Sequence, residues 1–292
     1  MLKKLIKHEW KSTYKIGLIL LGVVGGITLL GILGIVLPIP YIMKQTGGSA
    51  SDAEQAAAAF LSMMLMLGFM LYMLTLMGVT YAMLGYQGVH FYKTMYTDEG
   101  YLTHTLPMTP KQIFFGKTVV AGCWNLIIIL SMILSGFILI VTLTGTLTNQ
   151  FGTMYPWIDM QKEFADAYED IVGSGYAVQM VHVVISIILM LLISPFCSML
   201  MLFGGLTIGQ LSRKYKALMG ILAYVGILFV NSIISQIVNF FFTMAAVMAS
   251  SRGNYSVSMT GSMDSSLIVM AIMGTAMYFL SLNILSKKLN LD

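Results

Sequence analysis

Long apolar runs alternate with short polar connectors along the chain, and this pattern predicts six membrane-crossing helices. The runs cover residues 16–43, 55–92, 118–161, 171–211, 217–251 and 265–286, within which Asp159 is the one Asp, Glu, Lys or Arg. Each exceeds the roughly 20 residues that span ~30 Å of hydrocarbon. Ahead of the first run, residues 2–15 put Leu2, Leu5, Ile6, Trp10, Thr13 and Tyr14 on one side of a helix and Lys4, Lys7, His8, Lys11 and Lys15 on the other. That is the pattern of an amphipathic helix lying on the membrane surface. Its lysines read either as a general anchor to anionic lipid or as a specific contact. Glu9 falls in the middle of the apolar side, where an unpaired carboxylate is costly. It is expected to pair with a basic or hydroxyl group such as Lys117 at the foot of the third span.

The connectors carry their own grammar. Ser51-Asp52-Ala53-Glu54 is a capping box that opens the second helix, whose pattern continues to about Tyr96. The third helix is predicted from Pro110 to about Thr146. Both are longer than a bilayer requires, so they hold the connector between them away from the membrane. That connector, 93–117, reads KTMYTDEGYLTHTLPMTPKQIFFGK. Pro107 stops one short helix, Thr109 caps the next, Pro110 fits its first position, and Gln112 completes a second capping box. In the connector at 147–175, PWIDMQKEFADAYEDIV (156–172) sets Trp157, Met160, Phe164, Tyr168 and Ile171 opposite five acids. This predicts an amphipathic helix whose acidic face is either solvated or a docking patch for cationic cargo. Ser194-Pro195 predicts a kink in the fourth span, and IGQLSRKYKALMG (208–220) a short basic turn.

Composition and charge sharpen this picture. The chain is 58% hydrophobic and 10% charged, with mean hydropathy +0.84. Soluble domains carry about 25% charged residues, so a soluble globule is excluded. Of the 16 Lys and Arg, 13 lie in the N-terminus, the second and fourth connectors and the C-terminus, and only Lys44, Lys162 and Arg252 in the alternate connectors. Both termini are therefore expected in the cytoplasm of a multi-pass cell-membrane protein. The net charge of +4 is spread as a membrane-orienting belt, and no nucleic-acid partner is implied. The run after Lys15 is too long for a signal-peptide core, so the first span is expected to be retained. Cys123 and Cys197 lie inside spans and fit neither a disulfide framework nor a metal set.

Enzyme chemistry finds no foothold. Gly116-Lys117-Thr118 fails as a phosphate loop, because Lys111 stands where that loop needs glycine. His8, His90, His104 and His182 share no metal-ligand spacing. The spans are read as free of acids and bases apart from His182, which excludes a proton-coupled pump and moves the energy source outside the membrane. In the fifth span Asn231, Ser232, Ser235, Gln236 and Asn239 share one face. Such a stripe serves either interhelical hydrogen bonding or, through Asn231, Ser235, Gln236 and Asn239, a substrate path. Gly22 and Gly26 form a GxxxG pair suited to close helix packing, within one chain or between two. The 26 methionines suit both pliable packing and a greasy ligand surface.

The 93–117 island, with its Glu-Gly, its Leu-Pro-x-Thr and its Gly-Lys opening a span, resembles the permease subunits of type-2 ABC exporters. The resemblance is specific at 99–117 and weaker at 204–220. It implies an all-α polytopic membrane protein forming a single transmembrane domain over 1–292. Its parts are six transmembrane helices, an interfacial helix at 1–15, a cytoplasmic coupling helix between the second and third spans, and an extracellular connector at 147–175. It further implies that Glu99, Gly100, Leu106, Pro107, Thr109, Gly116 and Lys117 couple the chain to an ABC ATPase subunit. ATP and Mg²⁺ would sit on that partner, with no cofactor or metal in this chain. A second permease copy, identical or related, would complete the transporter, which exports hydrophobic or amphipathic molecules such as peptides, drugs or lipids. Tyr96-Thr97-Asp98 replaces the Arg-rich run that often precedes the Glu in this family. The alternative expectation is a non-transporting sensor or immunity protein on the same scaffold.

Overall fold

The computed structural model describes residues 2–45, 51–97, 100, 109–150, 161–162, 165–166, 168–169, 173, 177–250 and 257–287. Its continuous helices are α1 (Leu2–Val36), α2 (Pro38–Gln45), α3 (Asp52–Tyr96), α4 (Pro110–Gln150), α5 (Ala177–Gly209), α6 (Lys216–Ser250) and α7 (Val257–Lys287). No strand occurs among the described residues. Six helices are long and apolar enough to cross a membrane, which makes this a multi-pass helical membrane protein.

Local sequence explains where the helices start and stop. At the head of α3 the Ser51 N–H donates to Glu54 Oε2 at 2.9 Å. At the head of α4 the Thr109 N–H donates to Gln112 Oε1, and the Gln112 N–H returns to Thr109 Oγ1, each at 3.4 Å. Pro38 and Pro110 open α2 and α4, where a missing N–H costs nothing. Residues 2–15 do not form a helix separate from the first span. They are the first part of α1, which runs on unbroken because neither Gly nor Pro interrupts its hydrogen-bond ladder before Gly17. Glu99, Leu106, Pro107 and His104 lie outside the described residues, as do most of 151–176. The described positions between 161 and 173 are helical.

The chain divides into two compact units. One comprises residues 1–14, 84–126 and 174–292; the other, residues 15–83 and 127–173. In the first, α5, α6 and α7 pack against one another in every pairing. Glycines set their approach: a Cβ at Gly205 would lie 2.7 Å from the backbone of Tyr224, and one at Gly209 would overlap the backbone of Gly220. Aromatic rings fill the core. Phe91 stacks on Phe203 at 4.0 Å between centroids and meets Phe114 edge-on at 5.8 Å. Tyr96 shares a hydrogen bond of 2.8 Å with Thr207. Pro195 lies buried inside α5, its carbonyl accepting from Ser198 Oγ at 2.9 Å. Between α5 and α6 the chain turns within residues 210–215, and Tyr215 takes a positive φ of 54°.

The second unit is held by a neutral polar node. Thr28 Oγ1 donates to the Val24 carbonyl at 2.6 Å, so it accepts from Ser135 at 2.5 Å, and Ser135 in turn accepts from the Tyr72 hydroxyl at 2.7 Å. An apolar cleft of about 360 Å³ opens beside it, lined in part by Gly31, Gly34, Gly68 and Leu139. Among the described residues the Gly22–Gly26 pair forms no packing seam: a Cβ on either would meet nothing within 4 Å. Gly31 is the close contact in α1, where a Cβ would stand 3.0 Å from Leu139.

Candidate functional site

Helix α1 presents Leu5, Glu9 and Thr13 at four-residue spacing, and all three are buried. Glu9 is the centre of the site. Its Oε1 accepts from Lys117 Nζ at 2.5 Å, and its Oε2 lies 3.0 Å from His90 Nε2. Lys117 also donates to Thr94 Oγ1 at 2.7 Å, and Thr94 Oγ1 donates to the His90 carbonyl at 2.7 Å. Three helices therefore meet in one network: the start of α1 through Glu9, the end of α3 through His90 and Thr94, and the start of α4 through Lys117. Around it, Trp10 stacks on Trp124 at 4.9 Å and Tyr86 on His90 at 5.9 Å. Thr13 Oγ1 donates to the Glu9 carbonyl at 3.0 Å.

Burial decides what this network is worth. The Lys117 side chain is 3% exposed and that of Glu9 9%. Removing two charges from water costs several kcal/mol per ion, about balanced by their attraction and by the added hydrogen bonds. The pair is thus a weak source of net stability and a strong source of specificity, because removing either member strands the other.

Of the coupling residues expected from the sequence, the structure describes Gly100, Thr109, Gly116 and Lys117. Gly116 packs on α1, where a Cβ would press to 2.8 Å from Leu5 Cδ2, and its neighbour Lys117 holds Glu9. Thr109 caps α4. The Gly100 N–H donates to the Thr97 carbonyl at 2.7 Å, and a Cβ at Gly100 would lie 2.6 Å from the Met95 carbonyl. The stripe of α6 behaves differently. Asn239 is hydrogen-bonded to Ser265 of α7. Asn231 and Ser235 border a small cavity of about 120 Å³ with Ser194 of α5 and Ser266 of α7. Gln236 is exposed and donates to Ser232 at 3.3 Å.

The spans hold more ionisable groups than the sequence reading allowed. His90 lies inside α3 and Lys117 inside α4, while in α7 Asp264 accepts from Ser186 at 2.6 Å and lies 3.4 Å from His182. His90 and Thr94 were missed as members of the site, although Tyr86, His90 and Thr94 recur at four-residue intervals on one face of α3. No cluster of three or more His, Cys, Asp or Glu able to hold a metal occurs among the described residues. Comparison of the chain with protein-family models, with curated proteins and with solved structures finds no match.

Proposed function

We propose that the chain is the permease subunit of an ATP-driven exporter of the type-2 ABC kind. It moves a hydrophobic or amphipathic molecule outward, together with a second permease copy and a separate ATPase chain that binds ATP and Mg²⁺. The observation that carries this reading is the Glu9–Lys117–Thr94–His90 network. It ties together the helix before the 93–117 connector, the helix after it and the start of α1. A connector braced on both flanks can pass a push from a docked partner into three spanning helices at once. The lysine distribution supports a cytoplasmic connector, with the first turns of α1 at the inner membrane surface.

The test is purification of the chain from its native membranes with whatever ATPase accompanies it. An ATPase should co-purify and be stimulated by amphipathic molecules. The double variant Glu99→Ala/Leu106→Ala should lose the ATPase while keeping the unfolding temperature. An ATPase that stays bound to the double variant overturns the docking assignment. Wild-type protein that carries no ATPase favours the sensor or immunity reading.

A further inference from the structure

Beside the buried pair, α1 and α3 border a polar cleft of about 350 Å³ lined by His8, Glu9, Ser12, Tyr86, His90 and Lys93, among others. The ion network uses only part of this set. Both carboxylate oxygens of Glu9 are engaged, by Lys117 and by His90. His8 and Lys93 are exposed and make no ion pair among the described residues. The hydroxyls of Ser12 and Tyr86 add two further donors to the cleft wall. Counting charges, Glu9 is offset by Lys117, and Lys93 leaves the cleft positive even with both imidazoles neutral. The same side of α1 continues with exposed Lys4 and Lys15.

We propose that this cleft holds the phosphate group of an anionic membrane lipid. A cleft lined by several donor side chains, its one acidic residue already neutralised, suits a group that offers only acceptor oxygens. Both walls belong to helices long and apolar enough to cross the membrane, and exposed Lys93 is among the lining residues. That combination matches the layer of lipid phosphates at a bilayer surface. Stacking of Tyr86 on His90, at 5.9 Å and 19° between planes, fixes the imidazole while its Nε2 faces Glu9. His90 is thereby committed to Glu9, and the donors left for a phosphate are those of His8, Lys93, Ser12 and Tyr86.

The experiment titrates the purified full chain with phosphatidylglycerol and with phosphatidylcholine, reading bound lipid by native mass spectrometry. Phosphatidylglycerol should be preferred. His8→Gln/Lys93→Gln should weaken its binding about fivefold or more, since each basic residue near a lipid phosphate contributes on the order of a fivefold factor. Lys3→Gln/Lys7→Gln removes two basic residues from the separate groove beside Trp10 and should leave binding within about twofold. All four substituted side chains are exposed, so the unfolding temperature should not move and misfolding is separable from lost binding. Equal losses in the two double variants would reduce the effect to diffuse surface charge and overturn the site. Displacement of the lipid by glycerol 3-phosphate at matching concentration would assign the cleft to a soluble phosphate and overturn the lipid.

Discussion

The two units solve the same problem, fixing polar groups in an apolar interior, by opposite means. In the unit built from residues 1–14, 84–126 and 174–292, a full ion pair is buried and walled in by stacked aromatic rings. In the unit built from residues 15–83 and 127–173, three hydroxyls pass hydrogen bonds in series to one carbonyl. Breaking a buried charged pair costs about 3–5 kcal/mol, against about 1–3 kcal/mol for an unsatisfied neutral group. The node of the first unit is therefore the harder of the two to rearrange. Individual glycines differ as sharply: in the first unit Gly205 and Gly209 lie against backbone, and in the second Gly31 lies against the Leu139 side chain while a Cβ on Gly22 or Gly26 would meet nothing within 4 Å among the described residues.

The largest expected effect tests the ion pair. Lys117→Met strands the Glu9 carboxylate and should cost on the order of 3–5 kcal/mol, read as a clear fall in unfolding temperature in detergent. Adding Glu9→Gln to that variant should recover much of the loss, because the stranded charge is gone. A fall no greater than that of the exposed Lys11→Gln would mean that Glu9 is solvated, and the contrast between the units would collapse. Next comes the glycine contrast. Gly205→Ala forces a methyl against the Tyr224 backbone and should cost about 1–3 kcal/mol, while Gly22→Ala should gain up to about 1 kcal/mol through helix propensity. Equal shifts of one sign would show that packing at the two sites is alike. The smallest effect is in the hydroxyl series: Tyr72→Phe should cost only about 0.5–1.5 kcal/mol, because Ser135 keeps its bond to Thr28. A loss as large as that of Lys117→Met would make the node as rigid as the ion pair.

Much of the fold was legible because membrane spans are long, apolar and charge-poor. Capping residues located the starts of α3 and α4, since Ser51 and Thr109 announce a helix whatever packs on it later. Glu9 was legible as a group needing a partner, because helical geometry alone puts it on the apolar side of the first turns. His90 was not, since a histidine in an apolar run carries no local sign of which acid it faces. Nor was the fate of the Gly22–Gly26 pair. Spacing marks a surface on which backbones can approach, but which neighbour arrives depends on the rest of the chain. The α6 stripe divided for the same reason: one face in sequence became a bond to Ser265, a cavity edge and an exposed amide.

The turn between α5 and α6 has a consequence for how the protein is made. Only residues 210–215 separate two helices whose backbones touch at Gly209 and Gly220, and the reversal uses a left-handed Tyr215 and a Ser212 hydroxyl donating to the Lys214 carbonyl at 2.7 Å. Contacts this local form early and quickly. As the chain leaves the ribosome, α5 and α6 can pair as a hairpin before α7 is complete. That hairpin then offers α7 a ready-made groove, so the longer-range pairings of α7 with α5 and α6 are left to a single docking step.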